Sequence, residues 1–198
     1  KNGQGVPQSN KTARALFTKA RDAGSEDASE ELSKLDEQER KLAAIERGVE
    51  QGDPCAMHDL ASLYIDGRGV EQSSERAVEL WTMAVEQGHV NSMYNLALLY
   101  DEGEGVDQSD GKAIQYYTMA AELGHVDAMF NLAVMYQDGQ GVPQSNKTAR
   151  EWFTKARDAG DKGAIEELQL LDEQEGQPAA TTTTATTTSV SSSPSPIC

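Results

Sequence analysis

From residue 56 onward the apolar positions fall into two alternating patterns, each with helical spacing. The first is Ala-x-x-x-Leu-Ala-x-x-Tyr, at Ala56, Leu60, Ala61 and Tyr64 and again at Ala128, Leu132, Ala133 and Tyr136; Ser92 replaces the leading Ala before Leu96, Ala97 and Tyr100. Residues at i, i+4 and i+8 share one side of an α-helix, so each segment carries one apolar stripe. The second pattern is Ala-x-x-x-aromatic-x-x-Ala, at Ala77, Trp81 and Ala84, at Ala113, Tyr117 and Ala120, and at Ala149, Phe153 and Ala156. Alanines let neighbouring helices approach and the ring fills the gap between them. The aromatic and Met positions are therefore read as core, not as a cofactor pocket.

Glycine and serine punctuate these stripes at one interval. Gly67-Arg68-Gly69-Val70, Gly103-Glu104-Gly105-Val106 and Gly139-Gln140-Gly141-Val142 recur every 36 residues. Ser73, Ser109 and Ser145 stand where a hydroxyl accepts from a free amide of the following helix. Gly52, Gly88, Gly124 and Gly160 stand where that helix ends in a left-handed residue. Each period is thus a helix, a glycine loop, a second helix and a stop, which predicts an all-α repeat array. A catalytic site is normally one constellation, so a chain built by copying argues first for a surface.

The Leu-Ala-x-x-Tyr, Gly-x-Gly-Val and Ala-x-x-x-Trp-x-x-Ala-x-x-x-Gly series resembles the Sel-one-like repeat family, a relative of tetratricopeptide repeats, over residues 1 to about 174. The resemblance implies a right-handed α-solenoid of antiparallel helix pairs. It also implies a non-enzymatic adaptor whose concave side holds peptides or proteins, in assemblies that include ubiquitin-ligase and endoplasmic-reticulum degradation complexes. Tetratricopeptide geometry, carried over by position, puts His58, Tyr94 and Phe130, each followed by Asp59, Asn95 or Asn131, along one groove. There the rings offer flat apolar contact and the Asn amides can bond an extended peptide backbone. Equally, Asn95 and Asn131 can bond the backbone of the adjacent repeat and merely fix stacking.

The period breaks once. Residues 3–39 match residues 139–175 at 29 of 37 positions, yet Gly3 and Gly67 are 64 residues apart, eight short of two periods. The missing piece corresponds to a glycine loop. The expected organisation is a partial repeat over 1–25, a loop-deleted repeat forming one long or kinked helix over 26–52, and complete repeats over 53–88, 89–124 and 125–160. A capping helix over 161–175 and a disordered Thr/Ser/Pro-rich tail over 176–198 follow. The chain opens at Lys1 inside a loop, and is read as a fragment. Cytoplasmic location is the favoured expectation, with the endoplasmic reticulum as the alternative.

Charge narrows the partner. The formal net charge is −16 and the tail carries no charged side chain, so the repeats hold all of it. That repels nucleic acid and anionic membranes and favours basic protein partners. No apolar run reaches the ~18 residues of a membrane span. Cys55 and Cys198 are too few to staple successive repeats, unlike the cysteine-rich relatives, and this favours a reducing compartment. Asn10-Lys11-Thr12 and Asn146-Lys147-Thr148 are glycosylation sequons, but Asn and Thr also have capping reasons to occur at helix starts.

No cofactor or metal is expected. His89 and His125 lie one period apart, and equivalent positions of stacked helices are at least ~8–10 Å apart, too far to share an ion; both are expected to face solvent. Ser109-Asp110-Gly111-Lys112 matches the Ser-x-x-Lys of penicillin-binding enzymes, the alternative function from another class, but its companion motifs are absent and Ser109 already has a capping role. A purely structural spacer is the other alternative.

Overall fold

The computed structural model describes residues 10–174 and residue 176. Among these residues are nine helices and no strand: α1 (Asn10–Asp22), α2 (Glu26–Glu50), α3 (Pro54–Asp66), α4 (Ser74–Glu86), α5 (Val90–Glu102), α6 (Asp110–Glu122), α7 (Val126–Asp138), α8 (Asn146–Asp158) and α9 (Gly163–Gln174). The chain divides between Gly88 and His89 into two compact units, one holding α1–α4 and the other α5–α9. Within each unit every helix packs on its neighbours in the chain, the contact pattern of an α-solenoid. The tail expected over 176–198 lies, apart from Gly176, outside the described residues. None of the described helices is long and apolar enough to cross a membrane.

In the second unit the two stripes face each other. Leu96 and Ala97 of α5, Ala113, Tyr117 and Ala120 of α6, Leu132 and Ala133 of α7, and Ala149, Phe153 and Ala156 of α8 are all completely buried. Full burial of one large apolar side chain is worth roughly 1.5–3 kcal/mol, so Tyr117 and Phe153 anchor their pairs. The first unit repeats this with Leu60 and Ala61 against Ala77, Trp81 and Ala84.

The helix pairs share one turn. The amide of Ser73 donates to the Tyr64 carbonyl at 3.0 Å, and the amides of Ser109 and Ser145 donate to Tyr100 and Tyr136 at 2.8 Å. The three serines then cap the second helices, their Oγ accepting from Arg76 N, Lys112 N and Thr148 N at 3.3, 3.4 and 3.2 Å. Gly141 shows why the loop needs glycine. Its φ is +64°, and a Cβ there would fall 2.5 Å from Asp110 Cβ and 3.1 Å from Ile114 Cδ1 of α6. The loop after α7 therefore seats directly on α6, the second helix of the repeat before.

The first unit departs from this where the period breaks. α2 runs without interruption for 25 residues, capped by Ser25, whose Oγ accepts from Ala28 N at 3.3 Å. Gly69 stands farther from α2 than Gly141 does from α6: its nearest atom for an added Cβ is Leu42 Cδ2, at 3.8 Å. A cleft of about 420 Å³ opens between that loop and α2, with Leu42, Ile45 and Leu63 as apolar lining and Lys41 and Arg68 among the charged residues. The sequence duplication is visible in contacts too. Arg14 of α1 pairs with Asp36 and Glu39 of α2 at 2.6 and 2.8 Å, and Arg150 of α8, 136 residues later, pairs with Asp172 of α9.

Candidate functional site

First helices have their own capping position, and it corrects the expectation that His89 and His125 face solvent. Asp53 Oδ1 accepts from Cys55 N at 3.0 Å, His89 Nδ1 from Ser92 N at 3.2 Å, His125 Nδ1 from Ala128 N at 3.3 Å, and Asp161 Oδ1 from Ala164 N at 2.8 Å. These four residues are spaced 36 apart. An imidazole with an unprotonated Nδ1 does the work of an aspartate carboxylate here. His89 is buried and bonds the Ser92 hydroxyl at 2.8 Å as well; His125 is half-buried. Among the described residues, no group of three His, Cys, Asp or Glu side chains could hold a metal ion.

His125 belongs to an aromatic cluster on the second unit. Its ring stacks on Tyr94 of α5 with centroids 4.4 Å apart and planes 17° from parallel, and Tyr94 lies 5.9 Å from Tyr117 of α6. Asn131 of α7 donates from Nδ2 to the Tyr117 hydroxyl at 3.2 Å. Of the positions expected to line a groove, Tyr94 and Asn131 are thus brought together. Phe130 is half-buried, edge-on to Phe153 at 5.3 Å, and a Cβ on Gly163 would meet its Cε2 at 3.2 Å. Asn95 is half-buried. In the first unit, the His58 ring lies 6.1 Å from Trp81 and its carbonyl accepts from the Trp81 indole at 3.3 Å, while Asp59 is exposed.

The cluster sits in a negative field. Burial raises the Tyr94 pKa first, the charges of Asp127 and Glu102 raise it further, and a hydrogen bond with Asn131 opposes them. Tyr117 is raised as well, chiefly by burial, with Asp101 and Glu102 adding and Asn131 opposing. Burial also raises Asp101, with help from Asp110. Asp127 and Glu102 are themselves exposed. The arrangement offers half-exposed aromatic surface beside carboxylates, chemistry suited to a guanidinium or ammonium group.

Ser109 and Lys112 are committed elsewhere. Ser109 Oγ caps α6, and the Lys112 ammonium lies 4.5 Å from the centroid of the Tyr100 ring and 3.4 Å from its hydroxyl. Arg76 reaches Tyr64 in the same way, with its guanidinium 3.0 Å from that hydroxyl. This cation–tyrosine contact across the turn recurs one period apart and gives the lysine of the Ser-x-x-Lys match a structural role.

Known structures share this architecture. A Sel1 repeat protein from Oxalobacter formigenes is 29% identical with a TM-score of 0.67, over 75% of this chain and 62% of its own. A protective antigen of uropathogenic Escherichia coli with an SLR fold is 26% identical with a TM-score of 0.68, over 90% of this chain and 40% of its own. Cysteine-rich protein B of Helicobacter pylori, at 23% identity, TM-score 0.50, and coverage of 64% and 96%, shares the fold. The chain therefore spans less than two thirds of the length of the first two. No curated protein sequence matches it. The Sel1 repeat family model matches residues 1–25, 56–89, 90–125 and 126–161, more than half of the chain. With the 36-residue period and the shared turn, these matches make the chain a member of the Sel1 repeat family.

Proposed function

We propose that the protein is a non-enzymatic interaction scaffold whose second unit docks a basic segment of a partner protein on the face formed by Tyr94, His125, Asp127 and Asn131. Sel1-repeat proteins are generally protein-interaction scaffolds. The observation that carries the reading is the Tyr94–His125 stack at 4.4 Å within the field of Asp127 and Glu102. Rigid stacked rings lose little freedom on binding, and a cation over them gains about 0.5–2 kcal/mol, to which a carboxylate adds a charge-assisted hydrogen bond. Asn131 is tied to Tyr117, so its part is to position the cluster. His58 and Asp59 offer a related ring and carboxylate on the first unit. A scaffold of this kind would serve a larger assembly, of the ubiquitin-ligase or protein-degradation type that the family resemblance implies.

The test is amide chemical-shift mapping with acetyl-(Gly-Arg)3-amide as ligand. The expected result is a set of shifts concentrated around Tyr94, His125 and Asp127, with saturation moved at least fivefold to higher peptide concentration by Asp127→Asn or Tyr94→Ala. Small shifts spread over the whole acidic surface would instead identify unspecific attraction and a spacer role.

A further inference from the structure

The four capping positions of the first helices carry two kinds of acceptor. Asp53 and Asp161 cap with a carboxylate oxygen, which suits the positive end of a helix dipole. The histidines cap only while Nδ1 is bare. For His125 the Nδ1 lone pair points at the Ala128 amide, 3.3 Å away, so a proton there would set donor against donor and put a cation on the N-terminus of α7. The same ring is half of the aromatic stack with Tyr94. The groups around it are Tyr94 from α5, with Glu102 acting on that tyrosine, the Ala120 carbonyl of α6, which accepts the His125 amide at 3.0 Å, and Asp127 of α7.

We propose that His125 is a proton-operated cap in the docking face: protonation releases the start of α7 and places positive charge beside Tyr94, so a cationic partner is held near neutral pH and released in mild acid. This rests on the docking reading above for its partner, but the cap itself does not. Burial depresses the His125 pKa and Asp127 partly opposes it. A depressed folded pKa means that the folded protein binds the proton less readily than the unfolded chain. The cap's contribution is therefore complete above the ordinary histidine value of about 6.5 and is lost as pH falls through the lower folded value.

The experiment uses the full chain and two readouts. Imidazole ¹⁵N NMR should show His125 with a bare Nδ1 at pH 7.5. The thermal midpoint of the wild type should fall further between pH 7.5 and 5.5 than that of His125→Asn, whose amide oxygen caps without titrating. In parallel, the acetyl-(Gly-Arg)3-amide concentration needed to saturate the wild type should rise at least threefold over the same interval, and in His125→Asn it should stay constant. Parallel melting of the two proteins, or a protonated Nδ1 at pH 7.5, overturns the cap. A titrating cap with pH-independent peptide binding overturns the coupling. Failure of the peptide to bind at pH 7.5 overturns the docking reading, and is told apart because the imidazole titration needs no peptide.

Discussion

Single residues in this fold separate into those that hold the repeat and those that the repeat presents. Tyr117 is completely buried between α5, α6 and α7, whereas Tyr94, on the same cluster, is half-buried. Tyr117→Ala should cost roughly 3–5 kcal/mol, the usual price of emptying an aromatic core site. Tyr94→Ala should cost less than half of that in the same denaturant titration. Comparable losses would place Tyr94 in the core and remove it from the docking face. Gly141→Ala should destabilise by more than the ~1–3 kcal/mol of a left-handed non-glycine residue alone, because the new Cβ also meets Asp110 at 2.5 Å. Urea unfolding measures it, and a wild-type midpoint would show that the loop moves freely away from α6.

At the scale of helices, local rules decide most of the outcome. The period-36 stripes, the serine caps and the glycine stops were all legible because each depends on residues within one or two turns of one another. Ser145→Ala should accordingly cost ~1 kcal/mol through the lost bond to Thr148 N, readable as a lower melting temperature with unchanged helicity. The histidine caps were misjudged although the signal was present: Asp53 and Asp161, ordinary capping residues, share the register of His89 and His125. The distance between the two imidazoles bears on metal binding, whereas the register each shares with Asp53 and Asp161 decides what it touches. Asn131 is a different case. Its partner is the Tyr117 hydroxyl, a side chain 14 residues earlier on another helix, and only the packing of α6 on α7 decides that contact. Period alone says which residues are equivalent, not which way a helix turns its half-buried side.

For the molecule as a whole, the acidic charge and the chain-neighbour packing have separate consequences. Because helices pack on their chain neighbours within each unit, deleting residues 90–125, one whole period, should leave a shorter helical protein that still melts cooperatively. Circular dichroism checks this, and loss of helicity would contradict a one-dimensional array. The charge bears on the central claim, that α5 and α7 present a face selective for a basic partner. The most direct measurement is site-specific photo-crosslinking, in extract of the cells that make the protein, from a benzophenone side chain at position 94 and, for comparison, at exposed Leu123. The account predicts a discrete adduct from position 94 alone, competed by acetyl-(Gly-Arg)3-amide but not by acetyl-(Gly-Glu)3-amide, and lost with Asp127→Lys. The same adducts from both positions, indifferent to either peptide, would contradict it.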